Sequence, residues 1–211
     1  MSSAAEPRFI TLEGGEGTGK STQSRLLADA LAARGLPVLR TREPGGAPGA
    51  EFLREVLLGG TIGWSAAAET MLHFAARAEH VERTIRPALA AGMWVVCDRF
   101  FDSTMAYQGF GLGADRERIA VLTRLIGIRP DLTLVLDANP DLTRQRMLAR
   151  SGALDRYERL DEAFHDRVQG GFRKIASDNP DRCVTIDASG SIASVQAAIL
   201  HALDLRFQKP Q

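Results

Sequence analysis

The stretch GGEGTGKS, residues 14–21, decides the fold. It fits the pattern G-x-x-x-x-G-K-[ST], in which glycine-rich backbone turns its N–H groups around phosphate oxygens. Its context fits as well. RFITLE (8–13) is a short apolar run ending at the glycines and reads as a buried strand. Leu26, Leu27, Ala30 and Leu31 then recur at helical spacing, and Gly35 closes a helix predicted over 19–34. A helix N-terminus adds free donors and its dipole to the loop. Gly14, Gly15, Glu16, Gly17, Thr18 and Gly19 supply the cradle. Lys20 meets the β- and γ-phosphates, Ser21 can ligate Mg²⁺, and Thr22 follows in the first turn. The motif calls for a nucleoside triphosphate. It leaves the phosphoryl acceptor open.

Outward from this loop, apolar runs alternate with amphipathic stretches. Strands are predicted at 37–41, 93–98, 131–137 and 182–187. Helices are predicted over 50–58, 65–91 with a kink near Pro87, 115–127, from Pro140 behind an Asn139 cap, 161–178 and 191–206. Alternation of this kind predicts an α/β fold: a five-stranded parallel sheet with helices on both faces. The run 150–159, RSGALDRYER, is polar, arginine-rich and broken by Gly152, and reads as a small lid within one domain spanning 1–211.

Composition narrows the partners. Lys+Arg and Asp+Glu are both 26, so there is no net positive field for bulk nucleic-acid binding, and any anion must be met by locally clustered arginines. The chain is 45% apolar and 25% charged, an ordinary globular balance. Cys97 and Cys183 lie in or beside apolar runs and read as buried thiols, as expected in a reducing cytoplasm. MSSAAEPR carries no apolar segment, so no signal peptide is expected, and no run is long enough to span a membrane.

Three features bear on the acceptor. WVVCDRF places Asp98 at a strand end, where a carboxylate can hold Mg²⁺ or its waters, with Arg99 directly after it. Ser103, Thr104, Tyr107 and Gln108 follow within ten residues, hydroxyls and an amide suited to a sugar or a base edge. The arginines of 150–159 could close over phosphates and spread their charge. Taken singly, each also fits an ordinary surface pair, a capped helix start or a solvated loop.

Together, FITLEGGEGTGKST, TREPGG, FAARAEH, CDRFFDSTMAYQG and LDRYE resemble the bacterial thymidylate kinases, from about Phe9 to the last helix. The resemblance implies transfer of the γ-phosphoryl of ATP to dTMP, with Mg²⁺, in a cytoplasmic homodimer that binds neither nucleic acid nor membrane. It places Glu16 near the 3′-hydroxyl of the acceptor sugar and Glu43 and Pro44 along the acceptor side. Arg54 and Arg99 would grip the dTMP phosphate, and Arg77 the thymine O4 edge. Thr104 and Gln108, with Ser103 beside them, would serve the base, and Tyr107 would disfavour a 2′-hydroxyl. The loop interior carries no arginine, as in the bacterial type, so Arg150 and Arg156 are implied as the transition-state arginines of the lid. The rivals are another nucleotide or deoxynucleoside kinase, separable by acceptor choice, and a P-loop switch ATPase, which would need no acceptor. No N-K-x-D guanine-reading motif is evident.

MLHFAARAEH (71–80) departs from the family pattern, which has phenylalanine four residues before the arginine; here that position is His73. His73, Arg77 and His80 fall on one helical stripe, and Met71, Phe74, Ala78, Val81 and Ile85 on a neighbouring apolar one. Periodicity therefore turns His73 toward the base and Phe74 toward the core, with Phe74 the alternative stacking residue. His80 reads as a plain helix-face residue. The His spacing does not suit a zinc site.

Overall fold

The computed structural model describes residues 6–59, 62–149 and 156–207. Five parallel strands are ordered β2–β3–β1–β4–β5: β1 Phe9–Glu13, β2 Val38–Arg42, β3 Trp94–Asp98, β4 Leu132–Asp137 and β5 Cys183–Asp187. The central strand β1 is buried along its whole length, as its unbroken apolar start requires of a strand covered on both faces. Its pleat splits the side chains. Ile10 and Leu12 join Leu27 and Leu31 of α1 (Lys20–Ala33) and Ile199 and Leu203 of α9 (Ile192–Phe207) in one core layer. Phe9 packs in the other layer with Val95, Cys97, Phe100 and Ile85. Each such fully buried large side chain is worth about 1.5–3 kcal/mol.

The stretch predicted as one helix over 65–91 is three pieces: α3 Ala66–His80, a π-helical turn Val81–Ile85, and α4 Arg86–Ala90. The irregular turn precedes Pro87, because proline sits in the first turn of α4, where its missing N–H costs nothing. After β3 come α5 Phe101–Thr104 and a π-helical segment Met105–Gly111. The remaining helices are α2 Pro48–Leu58, α6 Arg116–Ile126, α7 Pro140–Ala149 and α8 Glu162–Asp178. Asp115 and Asp161 cap α6 and α8 with their carboxylates.

The chain leaves β1 toward β2 and β3 on one side and toward β4 and β5 on the other, so the carboxyl end of β1 is a topological switch point. Ligands of open α/β sheets bind there. The glycine loop leaves β1 at this place.

Candidate active site

The loop conformation explains its glycines. Gly14 and Gly17 have φ of 137° and 72°, and a Cβ on either would run into a backbone oxygen, of Leu136 and Thr143 respectively. Lys20 folds back over the loop and its Nζ donates to the Gly15 carbonyl at 2.7 Å. Burial first, then the charge of Arg99, push the Lys20 ammonium down to about 8. Ser21 Oγ donates to Asp98 Oδ2 at 2.6 Å, joining the loop exit to the end of β3.

Arg99 is the centre of the site. It is the one non-glycine residue at positive φ (70°) among the described residues. Its backbone is held there by its own N–H to the Leu12 carbonyl (2.9 Å) and by Phe100 N–H to Glu13 Oε1 (2.7 Å). Its guanidinium reaches two elements at once. On the loop it donates to Gly14 O (3.0 Å) and Glu16 Oε1 (2.6 Å); beyond it, to Ser103 Oγ (3.1 Å) and the Tyr107 hydroxyl (3.0 Å). Tyr107 in turn donates to Glu16 at 2.8 Å. Burial alone would raise the Glu16 carboxyl, but Arg99, then Lys20 and the Tyr107 hydroxyl, bring it down to about 2. Glu16 is therefore ionised throughout the physiological range. Glu13 is different: burial, reinforced by Asp102, pushes its carboxyl up to about 8.

Around these groups lies a cavity of about 570 Å³. Among the sequence-predicted residues, it is lined by Glu16, Gly17, Thr18, Gly19, Lys20, Ser21 and Thr22 of the loop, and by Asp98 and Arg99. Glu43, Pro44, Arg54, His73, Arg77, Ser103, Thr104, Tyr107 and Gln108 complete it. Arg54 donates to the Pro44 carbonyl at 2.7 Å. Arg77 is 2% exposed, and its guanidinium carbon lies over Phe74 and Phe100, 4.7 and 5.3 Å from the ring centres. Its Nε donates to Glu43 Oε2 at 2.7 Å, and Nη2 to Phe100 O and Thr104 Oγ1, both at 3.1 Å. Its Nη1 is buried with no partner among the described residues.

Several expectations are corrected. Phe74 does not line the cavity; it supports Arg77 from behind, while His73 faces the space. His80 is not a plain helix-face residue. It is fully buried, with ring nitrogens 2.8 Å from Thr41 Oγ1 and 3.0 Å from Glu43 Oε1, because the Glu43 carboxylate inside the fold needs partners. Met71 and Ala78 are exposed, while Phe74, Val81 and Ile85 of the same apolar stripe are buried. Gly14 and Gly15 touch the site through their carbonyls only. Arg156 does not face the phosphate loop. It pairs with Glu69 Oε2 at 2.5 Å, because a fully buried carboxylate demands a cation. Arg150 lies outside the described residues.

Sequence reading missed Tyr157 and the far wall of Ala188, Gly190, Ile192 and Val195 in the lining, and Glu13 and Glu69 among the groups that hold lining residues from behind. Arg146 shapes that wall by donating to Ala188 O (2.9 Å) and Gly190 O (3.2 Å). One signal was present: extending the His73–Arg77 stripe back one turn reaches Glu69.

Comparison with known proteins follows the same line. The family model described as thymidylate kinase matches residues 12–199. The chain is 54% identical over 200 residues to a thymidylate kinase of Rhizorhabdus wittichii, covering 93% of this chain and 96% of that protein. It is 52% identical over 204 residues to one of Gluconobacter oxydans, covering 95% of each. The crystal structure of thymidylate kinase from Ehrlichia chaffeensis superposes with a TM-score of 0.77 at 36% identity, over 94% of this chain and 98% of that one.

Proposed function

The chain belongs to the thymidylate kinase family, and from that premise we propose how its residues move the γ-phosphoryl of ATP onto dTMP to give dTDP. The observation that carries the reading is the double reach of Arg99, whose Nη1 joins Gly14 of the phosphate loop to Ser103 and whose Nη2 joins Glu16 of the loop to Tyr107. A guanidinium so placed stands between a triphosphate in the loop and a second phosphate group in the cavity.

The acceptor is a phosphate monoester and already anionic, so no strong general base is needed. The work is alignment and cancellation of charge between two anions. Lys20 serves the β- and γ-phosphates, and Arg99 and Arg54 the acceptor phosphate. Glu16, ionised at physiological pH, holds Arg99 and Tyr107 in place and faces the sugar. Tyr107 walls the sugar and leaves no room for a 2′-hydroxyl. Arg77 Nη1 is a donor for O4 of thymine, and His73 stacks on the ring. Arg146 and the 188–195 wall bound the nucleotide end. Arg150 is the arginine we propose for the lid, the single domain being 1–211 with the lid at about 150–159.

Ser21 and Asp98 bring two hard oxygens together at the loop exit, a set that fits Mg²⁺, a cation that keeps water and phosphate oxygens among its ligands. Bound there, the ion would neutralise charge on the β- and γ-phosphates. A homodimer is proposed from the exposed apolar Phe52 (66%) and Met71 (60%) on the adjacent helices α2 and α3. No described helix is long and apolar enough to cross a membrane, and a cytoplasmic site of action is proposed. ADP release with dTMP, dUMP, dCMP, dGMP and thymidine as acceptors tests the reading. Turnover should be greatest with dTMP and absent with thymidine.

A further inference from the structure

Glu69 lies on α3 one turn before His73, fully buried and outside the cavity lining. Two hydrogen bonds and one ion pair converge on it. Gln108 Nε2 approaches Oε1 at 2.8 Å, the Tyr157 hydroxyl approaches Oε1 at 2.7 Å, and Arg156 Nη1 approaches Oε2 at 2.5 Å. A carboxylate paired with a guanidinium only accepts. The single hydroxyl proton of Tyr157 is thus committed to Glu69, and the phenol oxygen can only accept. It accepts from Gln108 Nε2 and from His73 Nε2, each at 3.0 Å.

The consequences run outward to the cavity. Both amide hydrogens of Gln108 are spent, so this lining residue can offer only its carbonyl oxygen. His73 carries its proton on Nε2 and can offer only Nδ1 as an acceptor; burial, then the neighbouring arginines, push its pKa down to about 3, so the ring is neutral. One turn on from His73, Arg77 contributes Nη1, a donor with no partner among the described residues. The base edge therefore meets a donor, Arg77 Nη1, beside an acceptor, the Gln108 carbonyl, while the neutral His73 ring serves the face of the base.

We propose that Glu69 is a positioning residue that sets this hydrogen-bond polarity, and that the polarity selects thymine over cytosine. Thymine places its N3–H donor beside the O4 acceptor and matches. Cytosine places an N3 acceptor beside an N4 amino donor and is reversed at both atoms, leaving buried groups unpaired. The inference rests on the acceptor reading above.

The test compares kcat/KM for dTMP, dCMP and dUMP in the full-length enzyme and in Glu69→Gln. The amide introduced by this substitution can donate, which frees the Tyr157 proton and the Gln108 amide to turn. The dTMP-to-dCMP ratio should fall by about tenfold or more. The dTMP-to-dUMP ratio should stay as it is, because uracil has the same polarity. Equal losses on all three substrates, with both ratios unchanged, would make Glu69 merely structural and overturn the inference. If Glu69→Gln does not fold, Tyr157→Phe carries the same test. It releases one Gln108 hydrogen and the His73 tautomer, and an unchanged dTMP-to-dCMP ratio there overturns the inference equally. A wild-type enzyme inert toward dTMP would overturn the acceptor reading and this inference with it; a dTMP-specific wild type with unmoved variant ratios overturns the inference alone.

Discussion

Replacing Arg99 separates stability from catalysis, and two substitutions do this better than one. Arg99→Ala removes the guanidinium and keeps the costly left-handed backbone; Arg99→Gly removes both. The Glu16 carboxyl is lowered from the ordinary value of 4.5 to about 2 against the opposing effect of burial. At about 1.4 kcal/mol per pH unit, that displacement corresponds to about 3 kcal/mol of stabilisation. Arg99 contributes most to the lowering, followed by Lys20 and Tyr107, so its loss should remove the largest share of this stabilisation. Because the folded value lies below the unfolded one, this stabilisation is fully present above pH 4.5 and is lost as pH falls through about 2. The gap between wild type and Arg99→Ala, measured by urea unfolding, should therefore narrow as pH drops below 4.5. Arg99→Gly should be more stable than Arg99→Ala by about 1 kcal/mol, the left-handed cost being removed. Turnover, followed by ADP release with saturating ATP, should fall in both by about 10³-fold or more. Near-normal turnover in a folded Arg99→Ala protein would refute the role assigned to this residue.

Other outcomes follow from the same geometry. With the Lys20 ammonium at about 8 in the free protein, ATP affinity should weaken as pH rises above 8, where the uncharged amine no longer attracts phosphate; titration calorimetry across about pH 7–9 showing a flat Kd would contradict this. Arg77→Met strips the cation from buried Glu43 and should cost about 3–5 kcal/mol in urea unfolding; a loss below about 1 kcal/mol would show that the pair is not needed. His73→Phe keeps a flat ring against the base and gives up one hydrogen bond to Tyr157, so dTMP affinity should change by less than about fivefold. A loss of about a hundredfold in dTMP affinity would count against stacking at this position.

What could be read from sequence had short-range causes. The glycine loop, β1 and α1 are encoded by residues next to one another, and their boundaries lie within a residue or two of those expected. The choice of His73 over Phe74 at the cavity also followed from helical period alone. What escaped depended on partners distant along the chain. His80 looks like a surface histidine until Thr41 and Glu43 are brought beside it from β2 and the turn after it. Arg156 sits in a basic stretch that suggests phosphate, yet Glu69, on another element, claims its charge. Glu13 reads as the last residue of a strand. Only the fold reveals that its carboxyl bonds Phe100 N and Ser103 and so braces the unusual backbone of Arg99. Pro87 marked an irregularity in 65–91, but the π-helical turn just before it escaped because it leaves the apolar period nearly intact over so few residues.

The central claim is that this chain moves a phosphoryl group between two nucleotides. Incubation with ATP labelled at the γ-phosphate, Mg²⁺ and dTMP, followed by separation of the products, tests it most directly. The account predicts that the label appears in dTDP, one equivalent for each ADP formed, with little in inorganic phosphate. Label found in inorganic phosphate at a rate indifferent to dTMP would contradict it.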